Sequence, residues 1–483
     1  MYKAYVTKLT NIRKHPNADR LNLADVFGNT VCVPLNYTED TIGVYFPTDG
    51  QLSEEFCKEN DLVRRKDAAG NDAGGYMDPN KRNVTAIRLR GEKSDGLFLP
   101  IKCLDYCFKD EAINHFNVGD VIDGSVNDHE ICCKYIPKQA GKTSAGGAGT
   151  RAHRRAKRSV APLFFEHADT EQLAYNLSAF KPGDEIEITL KMHGTSQRTG
   201  YVPVLKGYKR TILDRILRRE GTPIYEYDYI CGTRRVVLDR LSQTEDGGFY
   251  STNGFRKQHH DKFVGKLNKG ETVYYEVVGF TDTGAPIMGN GKNEKLGKDF
   301  VKQYGKETVF SYGCDPDPNS WVPHDHCEDE PKLPQSDIYV YRMTMTNEDG
   351  FVVEYTPDFM RYRCEQMGVK CVPVFWKGFI PPKQVDVSLM ASENKEVFDF
   401  KTNELYDVPG EWVKMMAEQY YAGPDPIGRT HTREGVVVRI INRPKFTAYK
   451  HKNFEFKCLS GIIAEQIAES GKGEISEDML SEL

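Results

Sequence analysis

Tryptophan is almost missing from this chain, 3 residues in 483, and no apolar run is long enough to span a bilayer. The opening MYKAYVTKLT also lacks the apolar core of a secretory signal. These two absences lead to the expectation of a cytoplasmic protein, in the host cytoplasm if the source is viral, with no membrane partner. A surplus of positive charge is missing too. Against 65 Lys and Arg stand 70 Asp and Glu, giving a net charge of −5, which excludes a chain coated in positive charge. The 12 cysteines are scattered without the framed spacing of a disulfide scaffold, so free thiols are expected. Aromatic residues are plentiful instead: 26 Tyr and 24 Phe can furnish strands, interfaces or surfaces for stacking bases. A length of 483 residues exceeds one ordinary domain and suggests two or three.

Positive charge is concentrated locally. Lys134, Lys138, Lys142, Arg151, Arg154, Arg155, Lys157 and Arg158 fall in one segment that contains no Asp or Glu and is interrupted by AGKTSAGGAG, a flexible composition. Such a run either neutralises phosphates or keeps a tether solvated. We divide the chain there. Residues 1–133 form a first domain, 134–160 a basic Gly/Ala/Ser-rich linker, 161–470 a second domain and 471–483 a polar tail. In the first domain, YKAYVTKLTNIRKHPNADRLNLADVFGNTVCVP and NVTAIRLRGEKSDGLFLPI read as short alternating strands broken by Gly, Asn, Asp and Pro, the pattern of a small barrel. Its HPNADRLNLADV phrase resembles the opening of an oligonucleotide-binding (OB) fold of tRNA-binding domains.

The second domain is dominated by strand-like runs: EIEITL, ETVYYEVVGF, DIYVYRMTMT, FVVEYT, GVVVRII and FEFKCL. Helices are expected at 354–368, where Thr356 can cap and Pro357 can start the first turn, at 408–421 and at 461–469. The basic segment 205–220 is read as a hairpin tip or short helix, or as a solvated insertion. Cys314, His324, His326 and Cys327 have zinc-ligand chemistry, yet their spacing matches no standard finger, and an ordinary polar loop is the competing reading.

One string raises a sharper question. In EIEITLKMHGTSQR, Ile186, Ile188 and Leu190 share one strand face, and Lys191 is delivered at the strand end before His193 and Gly194. Behind it come YYEVVGF with Glu276, DIYVYRMTM with Tyr339 and Tyr341, REGVVVRI with Glu434, and YKHKNFEFKCLS with its lysines. Strings of this kind in this order resemble the covalent nucleotidyltransferase superfamily of polynucleotide ligases and capping enzymes. The K-x-H-G-T variant is similar to ATP-dependent RNA ligases of the RNA ligase 2 kind. In the first domain, VYFPTDGQLSEEFCKENDL and RLRGEKSDGLFLP resemble the N-terminal OB domain of the RNA ligase 5 kind.

The resemblance covers about residues 1 to 460 and implies an α+β chain: an antiparallel-sheet nucleotidyltransferase domain, ATP-grasp-like, preceded by a small all-β OB barrel. It makes Lys191 the nucleophile that carries AMP, with Glu276 on the ribose, Tyr341 stacked on adenine, and Arg234, with Arg235 as rival, on phosphate or a 3′-end. Glu434 would position magnesium or manganese, partly through water. The final lysine is open among Lys450, Lys452 and Lys457; Lys457 is preferred because Phe454 and Phe456 alternate with Glu455 and Lys457 as in a strand, and Lys452 comes second. Leu190 departs from the pattern, standing where similar ligases carry a glutamate that reads adenine. The expected activity is sealing of 3′-hydroxyl and 5′-phosphate RNA ends, with ATP and Mg (or Mn) as cofactors, RNA as partner and no obligate protein partner for a monomer. The alternatives are a DNA ligase, a capping guanylyltransferase and a non-catalytic OB-fold RNA-binding or tRNA-binding protein.

Overall fold

A computed structural model of the chain describes residues 2–66, 70, 72–136, 160–168, 170–217, 219, 221–238, 253–318, 333–381 and 409–470. The basic segment from Lys138 to Arg158, the polar tail, and His324, His326 and Cys327 lie outside the described residues.

Strands in the first region are short because turns interrupt them every few residues. Ala4–Lys8 pairs antiparallel with Ile42–Phe46 and Val121–Ile122, and Leu97–Pro100 adds to the outer side of Ile42–Phe46. Thr10–Lys14, Leu21–Val26 and Asn29–Pro34 make a three-stranded meander. Alternation buries Ala4 and Val6 with Val44, Phe46 and Leu52 in one core. The expected barrel does not close: among the described residues the strand orders are those of separate open sheets. Helix Glu54–Glu59 and the tight-turned segment Ile101–Cys107 cover the core instead, through Phe56, Cys57, Ile101 and Leu104.

The second region is built on two larger antiparallel sheets, consistent with an α+β chain. One runs in the order Glu171–Gln172, Thr447–Lys452, Gly435–Ile440, Glu185–Lys191, Val374–Phe379, its first pairing being parallel. The other places Thr195–Lys209 between Thr222–Thr233 and Glu271–Gly279, followed by Ser336–Thr346 and Val352–Glu354. Lys191 ends a strand of the first sheet and Thr195 begins a strand of the second, so the chain crosses between the sheets at Met192, His193 and Gly194. The described residues of 205–220 lie at the end of the long Thr195–Lys209/Thr222–Thr233 hairpin, with one helical turn at Ile212–Ile216.

Helix Pro357–Met367 forms as its caps dictate. The Thr356 hydroxyl accepts from the Phe359 amide, proline occupies the first turn, and Gly368 closes it at a φ of 70°. Pro409–Glu418 is the second expected helix. The third is longer than expected, Phe454–Ser470, and it overturns the strand reading of FEFKCL. Asn453 explains this, because its side-chain oxygen accepts from the Glu455 amide at 3.1 Å, as a helix cap does. Over four residues FEFK fits a strand, but over ten Phe456, Leu459 and Ile463 recur at helical spacing and enter the core.

This helix is also where the two regions meet. Asp95 accepts from Lys457 at 2.6 Å, and Glu455 pairs with Arg88 at 3.0 Å and Lys93 at 3.3 Å. A second contact places Tyr175 against Tyr5 and Phe27, with ring centroids 4.5 and 5.2 Å apart. Among the described residues no helix is long and apolar enough to cross a membrane.

Candidate active site

Strand register brings distant residues of the sequence to one level. Lys191 is paired with Gly435, and Gly435 in turn with Lys452, so a lysine from each flanking strand meets the end of the Glu434 strand. Lys191 Nζ lies 2.8 Å and Lys452 Nζ 3.5 Å from the same oxygen, Oε1 of Glu434. Oε2 of Glu434 is 3.6 Å from His193 Nδ1. Glu434 is 1% exposed and the two lysines 8% and 5%, so their charges act on one another through little water.

The backbone permits this crowding only where side chains are missing. A Cβ on Gly435, whose φ is 150°, would stand 2.1 Å from the His451 carbonyl oxygen, and one on Gly194 would stand 2.4 Å from that of Val277. The crossing between the sheets is fixed at its middle by the His193 amide, which donates to the Tyr312 hydroxyl at 2.8 Å. The His193 ring sits edge-on between Phe310 and Phe456, at centroid distances of 4.6 and 4.8 Å. Thr195 and Gln197, next on the strand, are held through the Arg256 side chain and its carbonyl, each at 2.8 Å.

The space between the sheets is a cleft with an open mouth. Lys191, Arg234, Glu276, Tyr341 and Lys450 all line it. Glu276 pairs with Ser196 on one side and Tyr339 on the other. Tyr341 is an extra residue in its strand, since Tyr275 pairs with Val340 and Tyr274 with Arg342. Its hydroxyl meets that of Ser196 at 2.8 Å, and burial followed by the nearby Glu276 pushes its pKa up. Tyr339 packs in the core cluster. Arg234 is buried on the cleft whereas its rival Arg235 is exposed.

Lys457 is the sequence candidate that geometry separates from the rest. Its helix carries it to Asp95, and Lys452, on a strand, takes the place beside Glu434. Cys314 is buried and its thiol is pushed up to about 12 by burial; its three supposed zinc partners are outside the described residues. Among the described residues no group of three or more His, Cys, Asp or Glu could hold a metal by protein ligands alone.

Among the cleft-wall residues that sequence reasoning missed are His167, Glu187, Arg361, Arg439 and Phe446. Glu187 had a signal, because a strand that turns Ile186, Ile188 and Leu190 to one side turns Glu187, Thr189 and Lys191 to the other. Arg361 had none, being delivered by a helix from elsewhere in the chain.

No protein-family model matches the chain, and no curated protein matches its sequence. Among solved structures, a lysine-to-alanine variant of Naegleria gruberi RNA ligase with ATP and Mn is similar at 15% identity and a TM-score of 0.50, covering 94% of this chain and 98% of that one. Another variant of the same ligase, in its apo form, is similar at 16% identity and a TM-score of 0.50, covering 94% of this chain and 97% of the other. At these identities the likeness extends to the fold, which the two chains share over nearly their whole lengths.

Proposed function

We propose that this chain is an ATP-dependent RNA ligase that joins a 3′-hydroxyl to a 5′-phosphate, on nicked duplex RNA, through AMP carried on Lys191. The observation that carries the reading is the Lys191, Glu434 and Lys452 cluster, a buried lysine 2.8 Å from a buried carboxylate, with Lys191 itself lining the cleft between the sheets. The shared fold with an RNA ligase solved with ATP and Mn supports it, as does the order of the sequence motifs.

A lysine attacks phosphorus only as the neutral amine, so it must give up a proton first. In this reading Glu434 holds Lys191 in place and offers an oxygen to that proton. The Nζ lone pair forms a bond to the α-phosphorus of ATP as the bond to the leaving pyrophosphate oxygen breaks. Lys452 then offers positive charge to the α-phosphate oxygens where negative charge is greatest. AMP passes from Lys191 to the 5′-phosphate of RNA, and the 3′-hydroxyl displaces it to form the phosphodiester. Glu276 holds the ribose, Tyr341 faces the base, and Arg234 holds a phosphate or a 3′-end.

A divalent cation fits this donor set in one manner. Because no group of three or more such ligands exists among the described residues, the ion would be held by Glu434, water and the phosphates, as magnesium commonly is. When bound, magnesium or manganese neutralises phosphate charge and favours the neutral lysine.

The N-terminal sheets, in the role of an OB domain, and the basic linker would grip the duplex through phosphates and shape, because A-form RNA offers little base readout. Action in the cytoplasm as a monomer belongs to the same proposal. The test is incubation with α-labelled ATP and magnesium, followed by denaturation. Label that stays on the protein and vanishes in Lys191→Ala is the expected result; label retained in that variant defeats the reading. Nicks with RNA or DNA 3′-ends then decide the substrate, and equal sealing of both would remove the RNA claim.

A further inference from the structure

At the opposite end of the cleft from Glu434, a second charged group is built into the same strands. Glu187 lies four residues before Lys191 on the same strand face, roughly 13 Å away along the strand, a span comparable to a nucleoside monophosphate. It is 3% exposed and lines the cleft. Its Oε1 accepts from Arg361 Nη1 at 2.7 Å, which fixes the carboxylate against the helix Pro357–Met367. On the neighbouring strand Arg439 stands directly opposite Glu187 and lines the same cleft.

Arg439 is only partly used. Its Nη2 donates to the Tyr355 carbonyl at 3.0 Å and lies 3.9 Å from Glu354 Oε2, and its guanidinium lies 4.9 Å from the Phe446 ring centre. Its Nε and Nη1 are buried without a hydrogen-bond partner among the described residues, although the residue is 8% exposed. Buried donors without partners are costly, and where they line a cleft a ligand acceptor can satisfy them.

We infer that Glu187 and Arg439 read the edge of an adenine base, Glu187 accepting from the exocyclic amino group and Arg439 donating to the adjacent ring nitrogen. This rests on the ligase reading above and deepens it by naming the base and the residues that select it. An amino donor beside a ring-nitrogen acceptor is what adenine presents, whereas guanine and hypoxanthine put a carbonyl oxygen at that position. That oxygen would face the Glu187 carboxylate with no proton between them. Arg361 is a positioning residue, holding Glu187 without itself being needed to touch the base.

The test is the rate of covalent labelling of the full chain by subsaturating α-labelled ATP against α-labelled inosine triphosphate. Wild type should prefer ATP by about tenfold or more, the effect of one hydrogen bond to a charged group. In Glu187→Gln, whose amide can donate to a carbonyl oxygen, the preference should shrink severalfold. An unchanged ratio, or an equal fall with both nucleotides, would overturn the inference and leave Glu187 as a brace for Arg361. Should that variant not fold, equilibrium binding of AMP against IMP by wild type and by Arg439→Lys asks the same question. Equal binding of the two nucleotides by wild type overturns the inference. Preference for AMP that weakens in Arg439→Lys supports it. The two failures are separable: no labelling of wild type by any nucleotide removes the ligase reading, while labelling without base preference removes the inference alone.

Discussion

The two ends of the cleft are floored by the same strands yet solve opposite problems. At the Glu434 end, lysines from two strands converge on one buried carboxylate, and all three groups sit at strand ends. At the Glu187 end, the charged pair lies within the strands, with an arginine from a helix clamping the acid. The first arrangement keeps a buried lysine and a buried carboxylate in contact, which under the proposed reading are the nucleophile and the acceptor of its proton. The second fixes donors and acceptors against movement, which favours recognition. Charge alone does not distinguish the ends; placement along the strand does.

The comparison breaks most sharply at the reactive end. Lys191→Ala should abolish covalent labelling altogether, as measured on denatured protein, and no change at the Glu187 end should do so. Next in size is the contrast between two lysines five residues apart. Lys452→Ala should slow labelling about a hundredfold, on the order of removing one preorganised charge from a transition state. Lys457→Ala should slow it less than about threefold and instead loosen the contact with Asp95, read as easier proteolysis between the two regions. Reversal of that order would restore the strand reading of FEFKCL. Smaller still, Arg361→Ala should weaken AMP binding severalfold by releasing Glu187, while Lys191 still accepts label at saturating ATP. An equal loss in both measurements would make the two ends one unit.

The mildest test concerns stability and pH in the loop leading to Glu434. Burial raises Asp425 to about 7, while burial lowers His431 to about 4. The raised Asp425 binds its proton more tightly folded than unfolded, so its contribution to stability is lost as pH rises toward 7. The lowered His431 does the reverse, its contribution growing as pH rises from about 4 to 6.5. The two oppose one another over most of that window. Asp425→Asn should leave the His431 effect uncovered, so the variant's unfolding free energy should climb with pH between about 4 and 6.5, measured by denaturant titration. A flat profile would mean that His431 does not titrate as its burial implies.

Much of the reactive end was legible in the sequence because its residues belong to short strings with fixed register. Lys191 at a strand end, Glu434 before a glycine, and Glu276 in an apolar strand each carry their geometry with them, since strand alternation decides which way a side chain points. The lysine at the end of the series was misread for a local reason. FEFK satisfies period two over four residues, and only the longer spacing through Ile463, with Asn453 as cap, reveals a helix. The N-terminal strands were legible as strands, but their closure was not, because closure depends on tilt and stagger between strands and not on the pattern within any one.

By itself, then, the sequence determined the alternating strands, the capped helix from Pro357 and the glycines without which Lys191 and Glu434 could not approach, all consequences of local sterics and periodicity. Only the tertiary structure decided that Lys452 and not Lys457 stands beside Glu434, and that Arg361 and Arg439 meet Glu187. Those meetings join residues up to 252 positions apart in the chain, from Glu187 to Arg439. Their partners are chosen by the packing of sheets and helices, and no string of neighbours in sequence encodes that choice.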